Sequence, residues 1–299
     1  MTFKPKGIIP AMVTPLDDNG NVNERTLRKL TNHLINGKVH GLFVVGSTGE
    51  WYGLDMDQKK KTFETVVEET NGRVPIYAGT GAVTTKETLK LTKIAKDAGV
   101  SAVSILTPVF ISPNQEELYN HYRMIADSVD IPILLYNNPG RTGINLSADL
   151  VERLSKIDNI IGIKDSGGDM TLTGEYIRRT PDNFCVLAGR DTLILSTLVY
   201  GGKGAITATA NIVPKIVVKI YEEYIKGNIK EALKAQYDLA PLRLAFSLGS
   251  FPVVIKEGLK LIGIDAGSTF KPVEPMTEDN KMKLKKVLEE MGVFKKGYC

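Results

Sequence analysis

The sequence is poor in the residues that usually build metal centres and disulfide frameworks: 2 cysteines and 3 histidines in 299 residues. Cys185 falls in a predicted strand and Cys299 at the terminus, too few to staple a fold, which fits a reducing compartment. His33 and His40 lie around the first predicted helix and His121 in the fourth, so no ligand set forms and a metal-dependent aldolase is disfavoured. No apolar run approaches the ~20 residues of a membrane span. The opening Met1-Thr2-Phe3-Lys4-Pro5-Lys6 lacks the apolar core of a signal peptide, and a cytoplasmic protein is expected. Charge of one sign is also missing, because 38 basic and 34 acidic residues leave a net charge of only +4. The basic residues are interleaved with acids, which gives nucleic-acid binding little support. Lys59-Lys60-Lys61 and Lys283, Lys285 and Lys286 read as solvated helix faces.

What is present is a regular alternation. Short apolar runs near residues 7–13, 41–46, 74–79, 102–107, 131–136, 160–165, 184–188 and 204–208 read as strands. Amphipathic stretches near 24–37, 57–70, 84–98, 114–128, 147–156, 170–179, 191–200 and 214–226 read as the helices between them. Thr84-Thr85-Lys86-Glu87 has the form of a capping box, and Ala98-Gly99 that of a helix stop. Eight strand-then-helix units predict an α/β fold, a closed parallel (β/α)8 TIM barrel, over 1–226. The remainder, 227–299, turns helical at Lys230 to Ala245, Pro252 to Ile262 and Glu278 to Met291, an extension expected to pack on the barrel without a core of its own.

In such barrels the chemistry gathers where strands end. The run Asn159-Ile160-Ile161-Gly162-Ile163-Lys164-Asp165-Ser166 places a lysine near the end of an otherwise apolar strand. By strand parity Gly162 and Lys164 face the barrel axis, Ile161 and Ile163 the helices, and Asp165 points away from the axis. That lysine reads either as a rim charge snorkelling into water or as an amine able to attack a carbonyl. Tyr136 ends the neighbouring strand and can carry protons where no histidine is at hand, though a core-edge aromatic would look the same. Gly46-Ser47-Thr48-Gly49 offers hydroxyls and uncrowded N–H groups to a carboxylate, or is a plain turn. Arg141, five residues beyond Tyr136, suits a bidentate grip on a carboxylate. Gly189 and Ile206, at the ends of strands seven and eight, complete the candidate substrate-binding set. Gly201-Gly202-Lys203-Gly204 lacks the spacing of a phosphate loop and reads as a turn.

Together these motifs resemble the dihydrodipicolinate synthase and N-acetylneuraminate lyase superfamily of Schiff-base aldolases. The resemblance runs from Gly7-Ile8-Ile9-Pro10-Ala11-Met12-Val13-Thr14-Pro15 through Gly46-Ser47-Thr48-Gly49-Glu50, Tyr136-Asn137-Asn138-Pro139-Gly140-Arg141-Thr142 and Gly162-Ile163-Lys164-Asp165 to Gly201-Gly202-Lys203-Gly204-Ala205-Ile206. It implies a homotetrameric enzyme without cofactor or metal, whose Lys164 forms an imine with a 2-keto acid, commonly pyruvate. In that likeness Tyr136 is the proton shuttle, Ser47 and Thr48 bind the keto-acid carboxylate, with Thr48 also in the relay, and Arg141 holds the carboxylate of a small aldehyde acceptor. Arg141 favours the synthases, which join pyruvate to L-aspartate semialdehyde.

Two departures stand out. Thr107-Pro108-Val109-Phe110 occupies the place of a Pro-Tyr-Tyr motif whose second tyrosine crosses a subunit interface, and Phe110 has no hydroxyl. An N-acetylneuraminate or 2-keto-3-deoxy sugar-acid aldolase of the same superfamily is therefore the alternative, with a non-catalytic keto-acid-binding barrel more remote. Trp51, Met56, Lys59 and Val83 differ from the residues that lysine-inhibited synthases carry, so feedback inhibition by lysine is expected to be absent.

Overall fold

A computed structural model describes residues 3–294, so Cys299 lies outside the described residues. Eight parallel strands, β1 (Gly7–Pro10), β2 (Leu42–Val44), β3 (Ile76–Gly79), β4 (Ala102–Leu106), β5 (Ile133–Asn137), β6 (Ile160–Asp165), β7 (Cys185–Ala188) and β8 (Gly204–Thr207), pair in the order β1-β8-β7-β6-β5-β4-β3-β2. A parallel bridge between Ala11 and Phe43, with Met12 N–H donating to the Phe43 carbonyl at 2.8 Å, closes β1 onto β2. The barrel predicted from periodicity is therefore present, its strands shorter than the apolar runs that announce them.

The crossovers are α1 (Glu24–Asn36), α2 (Met56–Thr70), α3 (Thr85–Asp97), α4 (Gln115–Ser128), the one-turn α5 (Pro139–Thr142), α6 (Ala148–Leu154), α7 (Met170–Arg179), α8 (Ile194–Val199) and α9 (Pro214–Ile225). Their starts are chemically marked. Asp55 with Gln58 and Asn114 with Glu117 form reciprocal capping boxes, satisfying N–H groups that a first turn leaves unpaired. At α3 the cap is half of that: Thr84 Oγ1 accepts from Glu87 N–H at 3.2 Å, while the Glu87 side chain takes a bond from Thr84 Oγ1. Helix α3 ends at Ala98-Gly99 as expected, with Gly99 at φ +86°.

Inside the barrel each strand contributes one residue to a floor of Ile9, Phe43, Tyr77, Ala102, Leu134, Ile161, Leu187 and Ile206. Ile161 was expected to face the helices. The β5–β6 register instead slips between Ile133 and Leu134, which pair with Ile160 and Gly162, and the extra residue turns inward. From Gly162 onward parity is as expected. A Cβ on Gly162 would sit 2.3 Å from the Cys185 carbonyl oxygen, so only glycine lets β6 and β7 approach there.

The chain continues as α10 (Ile229–Ala245), α11 (Val253–Leu261) and α12 (Glu278–Glu290). Leu239, Leu242, Leu259, Leu284 and Leu288 are buried in the same continuous cluster as the barrel's helix layer. One buried ion pair ties this segment to the barrel top: Lys256 Nζ lies 2.7 Å from Glu50 Oε1, at 3% and 0% exposure. Glu50 also accepts from Phe270 N–H at 2.8 Å, and Lys256 donates to the Ser268 carbonyl at 2.6 Å. No helix among the described residues is long and apolar enough to cross a membrane.

Candidate active site

The C-terminal strand ends surround a cavity of about 240 Å³. Lys164 and Tyr136 are register partners on adjacent strands β6 and β5, so their side chains leave the sheet side by side. Lys164 is 4% exposed, and its Nζ stands 4.1 Å from the Tyr136 ring centroid and 4.9 Å from that of Phe43 across the barrel. The ammonium is thus held over two aromatic faces, with no carboxylate hydrogen-bonded to it among the described residues. Asp165, next in the strand, turns outward: its carboxylate accepts from Asn137 Nδ2 at 3.0 Å, Gly167 N–H at 2.9 Å and Thr173 Oγ1 at 2.6 Å. It fixes the end of β6 and the loop beyond, and leaves the amine on the inner face without a carboxylate beside it.

Tyr136 is buried, with its phenol oxygen accepting from Asn138 Nδ2 at 3.0 Å. Burial alone would raise its pKa, but the nearby Lys164 charge and hydrogen bonds from Ser47, Lys164 and Ser166 outweigh it, and the phenol sits below its ordinary value. A phenol easier to ionise next to an amine can take a proton and return it.

Ser47 and Thr48 lie on the turn after β2, where Thr14 Oγ1 donates to the Gly49 carbonyl at 2.7 Å and Glu50 adopts φ +55°. A non-glycine residue held in that left-handed conformation is strained, and the buried pairing of Glu50 with Lys256 is what over-determines it. Arg141 rides on α5, itself secured by Thr107 Oγ1 donating to Thr142 Oγ1 at 3.0 Å, and its guanidinium stacks 5.2 Å from the Phe251 ring centroid.

All seven residues expected from the sequence, Ser47, Thr48, Tyr136, Arg141, Lys164, Gly189 and Ile206, line this one cavity. Sequence reasoning missed Asn138 and Ser166, although both sit in the motifs already singled out. Arg243, Phe246 and Phe251 were missed for a different reason: they come from the helical extension, which no rule about strand ends reaches. Phe110 is not part of the cavity. It lies beyond β4 with φ +73° and 97% exposure. The glycine-rich stretch before β8 is a turn at the opposite, N-terminal end of the barrel, as read. No group of three or more metal-ligating side chains occurs among the described residues.

Comparison with known proteins gives one result. The model of the "Dihydrodipicolinate synthetase family" matches residues 4–291. A relative from Methanothrix thermoacetophila, named 4-hydroxy-tetrahydrodipicolinate synthase, is 39% identical over 288 residues, covering 96% of this chain and 97% of its own. One of the same name from Methanopyrus kandleri is 36% identical over 299 residues, covering 99% and 100%. Among solved structures, the chloride-inhibited dihydrodipicolinate synthase of Acinetobacter baumannii complexed with pyruvate superposes with a TM-score of 0.94 at 35% identity, over 97% of this chain and 99% of that one.

Proposed function

The chain belongs to the dihydrodipicolinate synthetase family, and from that premise we propose how its own residues carry out the reaction. It is a lyase of the imine-forming aldolase type that condenses pyruvate with L-aspartate semialdehyde, the activity for which its full-length relatives are named. The sugar-acid aldolase reading, kept open by Phe110, gives way to these relatives.

Pyruvate docks with its carboxylate on Ser47, Thr48 and the N–H groups of their turn. The neutral Lys164 amine attacks the keto carbon, Tyr136 with Thr48 moves the protons, and water leaves as the imine forms. The protonated imine draws electrons from the methyl group, which loses a proton to give an enamine. The enamine carbon bonds to the aldehyde carbon of the acceptor, whose carboxylate Arg141 grips. Attack of the acceptor amine on the former keto carbon closes the ring and frees Lys164. Gly189 and Ile206 shape the wall facing the pyruvyl group.

The observation that carries this reading is the setting of Lys164: a buried amine on aromatic faces, without a carboxylate partner, beside a phenol of lowered pKa and opposite a hydroxyl-lined turn. With Phe110 unable to donate a proton, the relay runs through Thr48, Tyr136 and water. Phe110 and Ile111 beyond β4 with Met124 on α4, and Val199 and Tyr200 at the end of α8, are exposed apolar side chains suited to burial between subunits, which supports a homotetramer. A coupled assay with pyruvate plus L-aspartate semialdehyde, run beside cleavage of N-acetylneuraminate and 2-keto-3-deoxy sugar acids, tests the assignment. Condensation is expected to exceed cleavage; efficient cleavage with no condensation would overturn it.

A further inference from the structure

Asn138 stands where an asparagine ordinarily caps a helix. It is the N-cap residue of α5, and the Pro139 that follows keeps its backbone out of the helical region, at φ −146° and ψ 69°. Its carbonyl takes Arg141 N–H at 2.9 Å, Thr142 N–H at 3.1 Å and Thr142 Oγ1 at 3.3 Å, which pins the backbone. The side chain makes no capping bond, although asparagine is among the best caps at such a position. Its Nδ2 instead donates to the Tyr136 phenol oxygen at 3.0 Å, and no other bond from that amide occurs among the described residues. The side chain thus serves the site rather than the helix start.

The other donors around the phenol have second calls on them. Ser166 Oγ also donates to the Gly189 carbonyl at 3.2 Å. Ser47 turns toward the pyruvate carboxylate, and Lys164 changes its own bonding as the imine forms. A hydroxyl has one proton to give, whereas the Nδ2 end of an amide can only donate. Asn138 is therefore the donor that stays in place through the cycle, and its bond is stronger to a phenolate than to a phenol. Among the charged groups near Tyr136, Lys164 on β6 is hydrogen-bonded to it, Arg141 on α5, Arg190 and Asp191 after β7 and Arg243 on α10 line the same cavity, and Asp165 faces away. Burial pushes Tyr77, Tyr122 and Tyr176 above the ordinary phenol value, while the equally buried Tyr136 lies below it.

We infer that Asn138 is a positioning residue for the reaction: its amide holds the Tyr136 oxygen as the base that takes a proton from the Lys164 ammonium and so makes the amine a nucleophile. The transfers balance. The proton moves from Lys164 Nζ to Tyr136 Oη, and the freed lone pair of Nζ bonds to the pyruvate keto carbon as the carbonyl π pair goes to oxygen. That oxygen then takes the proton from Tyr136 Oη, giving a carbinolamine still protonated on nitrogen and Tyr136 again as phenolate. Asn138 acts through Tyr136 alone.

This rests on the imine chemistry proposed above, and the test separates the two. With the full chain, the pH profile of kcat/KM for pyruvate is measured in wild type, Asn138→Ala and Asn138→Asp. Tyrosinate absorbance is followed over the same pH range, with Tyr136→Phe identifying the Tyr136 signal. Losing one charge-assisted hydrogen bond raises the phenol's pKa, so the acidic limb, which belongs to the Tyr136 and Lys164 pair, should move up by about one pH unit in Asn138→Ala. Below the limb kcat/KM then falls about tenfold, and above it the two profiles meet. Asn138→Asp caps a helix as well as asparagine does but sets an anion beside the phenol, so its limb and its tyrosinate titration should move further up. A capping role gives the opposite pattern, with Asn138→Asp keeping the wild-type profile and Asn138→Ala reduced equally at every pH. That pattern, or a limb that stays in place or moves down in Asn138→Ala, overturns the inference. Absence of a borohydride-trapped pyruvate adduct in wild type would instead overturn the imine reading beneath it, and an unchanged kcat in Tyr136→Phe the relay.

Discussion

Replacing Lys256 by methionine isolates the device that ties the helical extension to the substrate-carboxylate turn. Lys256 and Glu50 are 3% and 0% exposed and 2.7 Å apart, so the variant strands a carboxylate without its cation in the interior. Burial pushes the Lys256 ammonium below its ordinary pKa and Glu50 only partly offsets this, so the pair costs solvation that its attraction does not fully repay. Removing one member should cost about 3–5 kcal/mol, the usual penalty for an uncompensated buried charge. The double variant Glu50→Gln/Lys256→Met removes both charges and should recover most of that loss. Urea unfolding of wild type, both single variants and the double gives the coupling. The single variants should also raise KM for pyruvate, because Glu50 closes the turn carrying Ser47 and Thr48. If Lys256→Met unfolds within about 1 kcal/mol of wild type, or if the double variant loses the sum of the singles, the pair is not the clamp described.

Three further outcomes can be stated together. Tyr136→Phe removes the phenol beside Lys164 and should lower kcat by roughly 10²–10⁴ with a much smaller effect on pyruvate binding, read from steady-state kinetics and imine trapping; a change confined to KM would contradict its relay role. His121 is buried with Nδ1 2.9 Å from Thr85 Oγ1 and Nε2 without a hydrogen-bond partner, and burial lowers its pKa from 6.5 to about 4. The fold therefore requires the neutral ring: nothing is lost above about pH 6.5, and stability falls by on the order of 3 kcal/mol as pH drops from there to about 4. His121→Gln should remove that slope, and parallel pH–stability curves for the two proteins would refute the assignment. L-Lysine should not inhibit, because Lys59 already places its ammonium 5.7 Å from the Trp51 ring centroid where a ligand cation would compete; an inhibition curve at micromolar to low-millimolar lysine would show otherwise.

The barrel was legible because its signal is local. Strands of three to six buried residues alternate with amphipathic helices, and the starts of α1, α2, α3, α4, α6 and α7 each carry a capping side chain. Strand ends could not be placed as well, since an apolar run continues past the last ladder bond, as Ala11-Met12-Val13 does beyond β1. Ile161 shows the limit of parity: a register slip between two strands is a property of the pair and leaves no mark on either sequence. The inner half of the site was legible for the same local reason, with Lys164 and Tyr136 near the ends of their strands and Ser47 and Thr48 on the turn just beyond β2. Its outer half was not, because Arg243, Phe246 and Phe251 reach the mouth through packing between a late helix segment and the barrel, contacts 100 or so residues distant from Tyr136 and Arg141 in sequence. Phe110 could be flagged as a departure but not explained, since an aromatic 97% exposed on one chain acquires its neighbours from whatever covers it.

The central claim is that the Lys164 amine bonds covalently to pyruvate. Incubation with pyruvate and borohydride, followed by peptide mass analysis, tests it most directly. The account predicts one reduced pyruvyl group on the peptide bearing Lys164, dependent on pyruvate and missing from Lys164→Ala. An unmodified Lys164 in protein that still consumes pyruvate, or an adduct on another lysine, would contradict it.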